Sequence, residues 1–221
     1  MPRMRDDLSS MQIALNTDDL QRRPRSIKDL TDMSLEELWQ LFPIVLKEHN
    51  SAYPMWYEQE KAAISCALRG HDICRINHIG STAVKGLIAK PIIDILLELP
   101  SAYEMDRVAA QLQIDGWTQM AINGLDQTID LNKGYTPAGF VQKVYHLHIK
   151  PQGDWDELYF RDYLQAHPAI ARQYEALKLQ LRKLFEHDRD AYTSAKADFI
   201  MTCVQKARAE FGGRHMPAFR P

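Results

Sequence analysis

The spacing of apolar residues along the chain changes character near residue 150. Before that point, short apolar runs are separated by single helical stripes. Pro91 to Leu99 is β-branched and leucine-rich and predicts a strand; Ile73 to Ile79 and Trp117 to Ile122 predict two more. Val144 to Ile149 alternates, with His146 and His148 on one face and Tyr145, Leu147 and Ile149 on the other. Ser34 followed by Glu37 has capping-box spacing and predicts a short helix to Leu41, stopped by Pro43. Ile44 to Leu46 reads as a short strand. A helix from Pro54 to about Leu68 carries Trp56, Ala63 and Ala67 on one stripe, and another from about Glu104 to Gln113 ends at Gly116. Asn123 to Gly139 reads as a loop.

Beyond residue 150 the period is helical. Asp154 and Glu157 predict a capped helix that ends at His167, before Pro168. The next helix carries Ile170, Tyr174, Leu177, Leu181 and Leu184, and a final one carries Tyr192, Phe199, Cys203, Ala207 and Phe211. A mixed sheet followed by helices defines an α+β class. The expected organisation is one domain over 33–221, with a sheet core at about 42–150 and a helical block at about 154–211. Residues 1–32 are polar, with Arg22, Arg23 and Arg25 close together, and are expected to form a flexible arm.

Composition narrows the classes. The 221 residues are 45% hydrophobic and 25% charged, with a formal net charge of −2. That balance gives no whole-chain attraction to nucleic acid or an anionic membrane. The three cysteines, Cys66, Cys74 and Cys203, have no CxxC spacing and fit a reducing compartment. No apolar run approaches a membrane helix, and the first residues lack the apolar core of a signal peptide. The expectation is a cytoplasmic protein with a small-molecule or nucleotide ligand.

The chemistry concentrates between His78 and Leu99. A strand ends at Ile79, and Gly80, Ser81 and Thr82 turn into a short helix. Glycine lets backbone N–H groups approach a ligand and serine adds a hydroxyl, which suits a phosphate or another anion. His78 precedes this turn and either contacts substrate or caps the structure. Lys90, which reaches a phosphate, pairs with Asp94 or faces solvent, leads into the next strand. Asp94 lies within that apolar strand, where a carboxylate needs a metal, a substrate or a cationic side chain as partner. Lys143 precedes the histidine strand and is expected to line the same cleft. Arg161 either reaches an anionic substrate or pins the helical block through an ion pair. Lys178 and Arg182, four apart on a helix, and Lys196 read as solvated positions.

The run HIGSTAVKGLIAKPIIDI, from His78 to Ile95, resembles the signature of the GrpB family. Further matches are the His146–His148 strand, the Phe160 to Pro168 run FRDYLxxHP, the Tyr174–Leu177–Lys178 set, and Asp188, Arg189, Tyr192 and Lys196 at their spacing. The resemblance covers about residues 44–210. It implies a fold like that of nucleotidyltransferases, in which a Gly-Ser turn holds the triphosphate and an Asp-x-Asp pair binds Mg²⁺. Two metal ions then clamp the attacking and leaving oxygens.

The chain departs from that pattern at the second carboxylate. Asp94 shares its strand face with Ile92, Leu96 and Glu98, and the second acid would stand at Leu96. Glu98 lies about 13 Å along the strand from Asp94, too far to share a metal pair. His146 and His148, about 6.6 Å apart, are candidate substitutes that would join Asp94 around a transition metal. Asp126 and Asp130 are the candidates for a carboxylate facing Asp94 from elsewhere. Three functions follow: a nucleotidyl or phosphoryl transferase with Asp94 catalytic and a divalent metal; a non-catalytic nucleotide- or anion-binding domain with a degenerate metal site; or a metal-dependent hydrolase using Asp94, His146 and His148.

Overall fold

A computed structural model of the chain describes residues 28–123 and 128–217. Helix α1 (Leu35–Leu41) opens with the expected capping box: Ser34 Oγ accepts from the Glu37 N–H, and the Glu37 carboxylate accepts from the Ser34 N–H. Then follow α2 (Tyr53–Ala67), β1 (Arg75–Ile79), a one-turn 3₁₀ segment (Ser81–Ala83), β2 (Ile92–Leu99), α3 (Met105–Ile114), β3 (Thr118–Asn123), β4 (Thr128–Thr136) and β5 (Gly139–Pro151). The helical block comprises α4 (Asp156–Ala166), α5 (Pro168–Phe185), α6 (Arg189–Ser194) and α7 (Ala197–Phe211).

The five strands form one mixed sheet in the order β1-β2-β5-β4-β3. Only β2 and β5 run parallel; the other neighbours are antiparallel. One face is a continuous apolar core. Ile93, Ile95, Leu97 and Leu99 of β2, with Tyr145, Leu147 and Ile149 of β5, pack against Tyr57 and Ile64 of α2 and Val108 and Leu112 of α3. On the opposite face Leu96 and Ile79 meet Leu158 of α4. The helical block has its own core, including Tyr159, Tyr163, Tyr174 and Cys203, closed by Val84 and Leu87 from the segment after the Gly-Ser turn.

Several sequence expectations change. The segment read as a loop between Asn123 and Gly139 contains β4. Ile129 and Leu131 are buried with half-buried Asp130 between them, an alternation obscured by its glycine and asparagine neighbours. Gly134 marks a register shift between Lys133 and Tyr135. Its φ is +95°, and a Cβ there would lie 2.5 Å from the Lys143 carbonyl oxygen. Ile44 to Leu46 is no strand; next to it a single bridge joins Lys47 to Ala89. Asp154 does not cap α4, because it accepts the Tyr159 hydroxyl at 2.7 Å and pairs with Arg208. The final helix is two, since the Asp188 carboxylate accepts from Ala191 N–H at 2.9 Å and starts α6 separately. The arm expected over 1–32 lies largely outside the described residues.

Glu98 is removed from any ligand site. Fully buried, it accepts two hydrogen bonds of 2.6 Å from the Arg75 guanidinium and one of 3.1 Å from the Gly153 N–H. Such a paired, hydrogen-bonded carboxylate is structural.

Candidate functional site

A cleft of about 900 Å³ opens between the exposed ends of the sheet face and the helical block. Asp94, the one residue of β2 that is not buried, stands on its floor. The antiparallel pairing sets Ile79 opposite Asp94, so the turn that follows Ile79 runs beside the carboxylate. Gly80 has φ +71°, and a Cβ on it would overlap Asp94 Oδ2 and sit 3.0 Å from Asp94 Cγ. Only glycine permits this approach.

Parallel pairing sets His146 beside Asp94, and His148 beside Leu96. His146 Nδ1 lies 3.2 Å from Asp94 Oδ1, and His146 Nε2 lies 2.7 Å from the Tyr135 hydroxyl. Arg189 Nη2 donates to that hydroxyl at 2.7 Å. The hydroxyl therefore accepts from Arg189 and donates to Nε2, leaving the imidazole proton on Nδ1 to donate to Asp94. Burial favours the neutral form of His146 and outweighs the pull of Asp94. For Asp94, burial opposes ionisation, but the His146 hydrogen bond and the charges of His148 and Lys90 hold its carboxyl below the usual range. His148 Nδ1 lies 2.7 Å from Asp130 Oδ1. Burial lowers His148, yet that bond and the charges of Asp94, Asp130 and Glu157 raise it on balance.

Four cations converge on the same floor. Lys178 of α5 is 3% exposed; it donates to Ser81 Oγ at 3.2 Å and to the Ile88 carbonyl. Lys90, Arg189 and Lys196 line the cleft beside it. Burial lowers Lys90 and Lys178 to about 7 and Lys196 to about 8, with mutual repulsion among the cations adding to the shift. Among the described residues none of the four forms an ion pair with a carboxylate. By contrast Lys150 pairs with Glu157 at 2.5 Å, and Arg208 pairs with Asp154 and with Asp156.

The expected site residues thus divide. Gly80, Ser81, Thr82, Lys90, Asp94, His146 and His148 share the cleft. Thr82 is inside the wall, its hydroxyl donating to the Ile92 carbonyl at 3.0 Å and lying 3.0 Å from His78 Nε2. His78 is not at the cleft: it pairs with Ile95, points to the other face and stacks on Tyr57 with ring centroids 4.8 Å apart. Lys143 is also elsewhere. It is one residue out of phase with Val144 and His146, so it projects to the opposite face and donates to Gln59 of α2 at 2.9 Å. Arg161 takes the structural alternative, bonding Asp162 at 2.7 Å and the His78 carbonyl at 3.0 Å. Lys178 and Lys196, read as solvated, belong to the site, as do Arg189 and Tyr135. The spacing of Lys178, Arg189 and Lys196 within the resemblance motifs was the available signal, and folding α5 to α7 over the turn gives it meaning.

The residues do not fit a shared metal ion. Both His146 nitrogens have protein partners, and His148 turns Nδ1 to Asp130. Leu96 is fully buried between Ile79 and Leu158. Asp130 stands two strands from Asp94 with β5 between and two residues further along, about 12 Å at ordinary strand spacing. Asp126 lies outside the described residues. Among the described residues no group of three or more His, Cys, Asp or Glu side chains is placed to hold a metal.

The fold and cleft define an α+β domain whose Gly-Ser turn lies beside a carboxylate, in a cleft lined by cations that form no ion pair among the described residues. The GrpB protein family model matches residues 43–206, and the chain belongs to that family. It is 32% identical over 170 residues to the UPF0157 protein YqkA of Bacillus subtilis, covering 76% of this chain and 48% of that one. It is 38% identical over 159 residues to the UPF0157 protein PA4798 of Pseudomonas aeruginosa, covering 72% and 65%. The match thus spans between about half and two thirds of these curated relatives. A crystal structure of conserved protein GrpB from Enterococcus faecalis superposes with a TM-score of 0.66 at 30% identity, covering 76% of this chain and 99% of that one. No helix among the described residues is long and apolar enough to cross a membrane.

Proposed function

We propose that this domain binds a nucleotide or related polyphosphate in the cleft without depending on a metal, the protein supplying the positive charge. The observation that carries this reading is the set of Lys90, Lys178, Arg189 and Lys196, which among the described residues form no ion pair with a carboxylate and share the cleft with the Gly80-Ser81 turn. Cations withdrawn from water without a counter-charge are costly, most of all buried Lys178, and a phosphate in their midst offsets the cost through charge-assisted hydrogen bonds. Asp94, held ionised by His146, limits the net charge of the pocket and orients the turn. Its single carboxylate offers too few ligands for the metal pair of a transferase, and Leu96 occupies the place of the second.

The transferase reading rests on the strand, Gly-Ser turn and strand-Asp order alone. The hydrolase reading needs Asp94, His146 and His148 to converge, which their hydrogen bonds oppose. A thermal-shift panel of nucleoside triphosphates, inorganic tripolyphosphate and inorganic phosphate, each with EDTA or with Mg²⁺, tests the binding reading. A ligand at 100 times its Kd should stabilise the protein by about 2.7 kcal/mol. Stabilisation in EDTA is expected; stabilisation only with Mg²⁺ would favour the transferase reading.

A further inference from the structure

A second cavity, of about 730 Å³, adjoins the first. The two share Lys90 and Arg189 in their linings. Part of each floor lies on the same face of the two central strands. Asp94 and His146 floor the first; Ile92 and Val144, paired in register two residues earlier, floor the second. The step is about 6.6 Å along the strands. The first cavity gathers most of the charged groups, whereas the second sets rings and aliphatic side chains, among them Trp56, Phe140 and Val144, beside Lys47 and Glu48. At its rim Asn50 and Gln142 offer side-chain amides. His49 also lines it, and the Nδ1 of that ring has no hydrogen-bond partner.

A cavity that sets aromatic and aliphatic side chains beside amides and an imidazole suits a flat organic ring with hydrogen-bonding edges. Lys90 and Arg189 form the boundary, so a phosphate held between them touches both spaces at once. We propose that the second cavity takes the nucleoside portion of the ligand whose phosphates occupy the first. Lys90 and Arg189 then grip the phosphate nearest the sugar, and the chain beyond runs toward Lys178, Lys196 and the Gly80-Ser81 turn. This assignment rests on the polyphosphate-binding reading and adds to it the class of molecule to which the phosphates are attached.

The test compares ATP with inorganic tripolyphosphate by isothermal titration in EDTA, on the full chain and on Gln142→Trp. Gln142 is exposed and lines the second cavity but not the first. An indole there fills the nucleoside space. The wild-type protein should bind ATP at least tenfold more tightly than tripolyphosphate. Gln142→Trp should bring ATP to the tripolyphosphate level and leave tripolyphosphate binding unchanged, which also shows that the variant is folded. Equal affinities in the wild type overturn the subsite while sparing the polyphosphate reading. An ATP preference that survives Gln142→Trp overturns its location. Failure of both ligands to bind overturns the polyphosphate reading and the subsite with it.

Discussion

Replacing Lys178 with methionine should change how stability depends on pH. The amine is 3% exposed, donates to Ser81 Oγ and the Ile88 carbonyl, and is held near a pKa of about 7 chiefly by burial. In the unfolded chain a lysine titrates at about 10.4. Between these values the unfolded state binds the extra proton, so this group makes folding more favourable as pH rises from about 7 to about 10. Below about pH 7 the folded protein holds the charged ammonium at its full desolvation cost. Going from pH 6 to pH 9, a single group shifted this far adds about 2–3 kcal/mol of stability. Urea unfolding of the ligand-free protein at both pH values measures the change, and Lys178→Met isolates the Lys178 share as a difference of differences. The wild type should gain more stability over this interval than Lys178→Met, by about that amount. An identical gain in both proteins would refute the reasoning, because Lys178 would then be charged throughout and solvated or paired in a way this cleft does not provide.

Other outcomes follow from the same geometry. ATP affinity should be greatest below pH 7 and fall as pH rises from 7 to 9, because Lys90, Lys178 and Lys196 lose their protons there; titration at pH 7.5 in buffers of different ionisation enthalpy should show proton uptake on binding. Gly80→Ala forces a Cβ into Asp94 at a positive φ, and should cost about 1–3 kcal/mol in urea unfolding and weaken phosphate binding. Leu96→Asp buries a carboxylate between Ile79 and Leu158, so it should destabilise by about 3 kcal/mol or more rather than create a metal site, as unfolding and Mg²⁺ titration will show. Arg75→Met leaves Glu98 buried without its partner and should cost about 3–5 kcal/mol by denaturant titration, with no direct effect on the cleft.

Much of the framework was legible from periodicity. The Ser34 capping box, the β2 run and the alternation of β5 all depend on local pattern, and local pattern is what sequence carries. The strand β4 escaped because Asn132, Lys133 and Gly134 give it loop composition, while its pairing partner β5 supplies the hydrogen bonds that stabilise it. The turn and Asp94 stood out because glycine, serine and an acid interrupt apolar strands. Lys143 was misplaced by one residue of phase, which in a strand moves a side chain to the other face. The cations of α5 to α7 had no such local mark. A lysine on an amphipathic helix looks solvated until the tertiary packing sets Lys178 over the Ser81 hydroxyl and closes the helical block on the turn. The engagement of both His146 nitrogens was equally hidden, since it depends on Tyr135 and Arg189, brought from a strand and a helix far apart in sequence.

The most direct test of the account is the salt dependence of ATP binding in EDTA, measured by isothermal titration on the wild type and on Lys196→Met. Lys196 lines the cleft near Asp94 and Arg189, and among the described residues it forms no ion pair. The expected result is metal-free binding that weakens as salt screens the cations, and a loss of about tenfold or more on removing the Lys196 charge. Absence of ATP binding without Mg²⁺, or binding that ignores both salt and the Lys196→Met change, would contradict a cleft whose own lysines and arginine hold the phosphates.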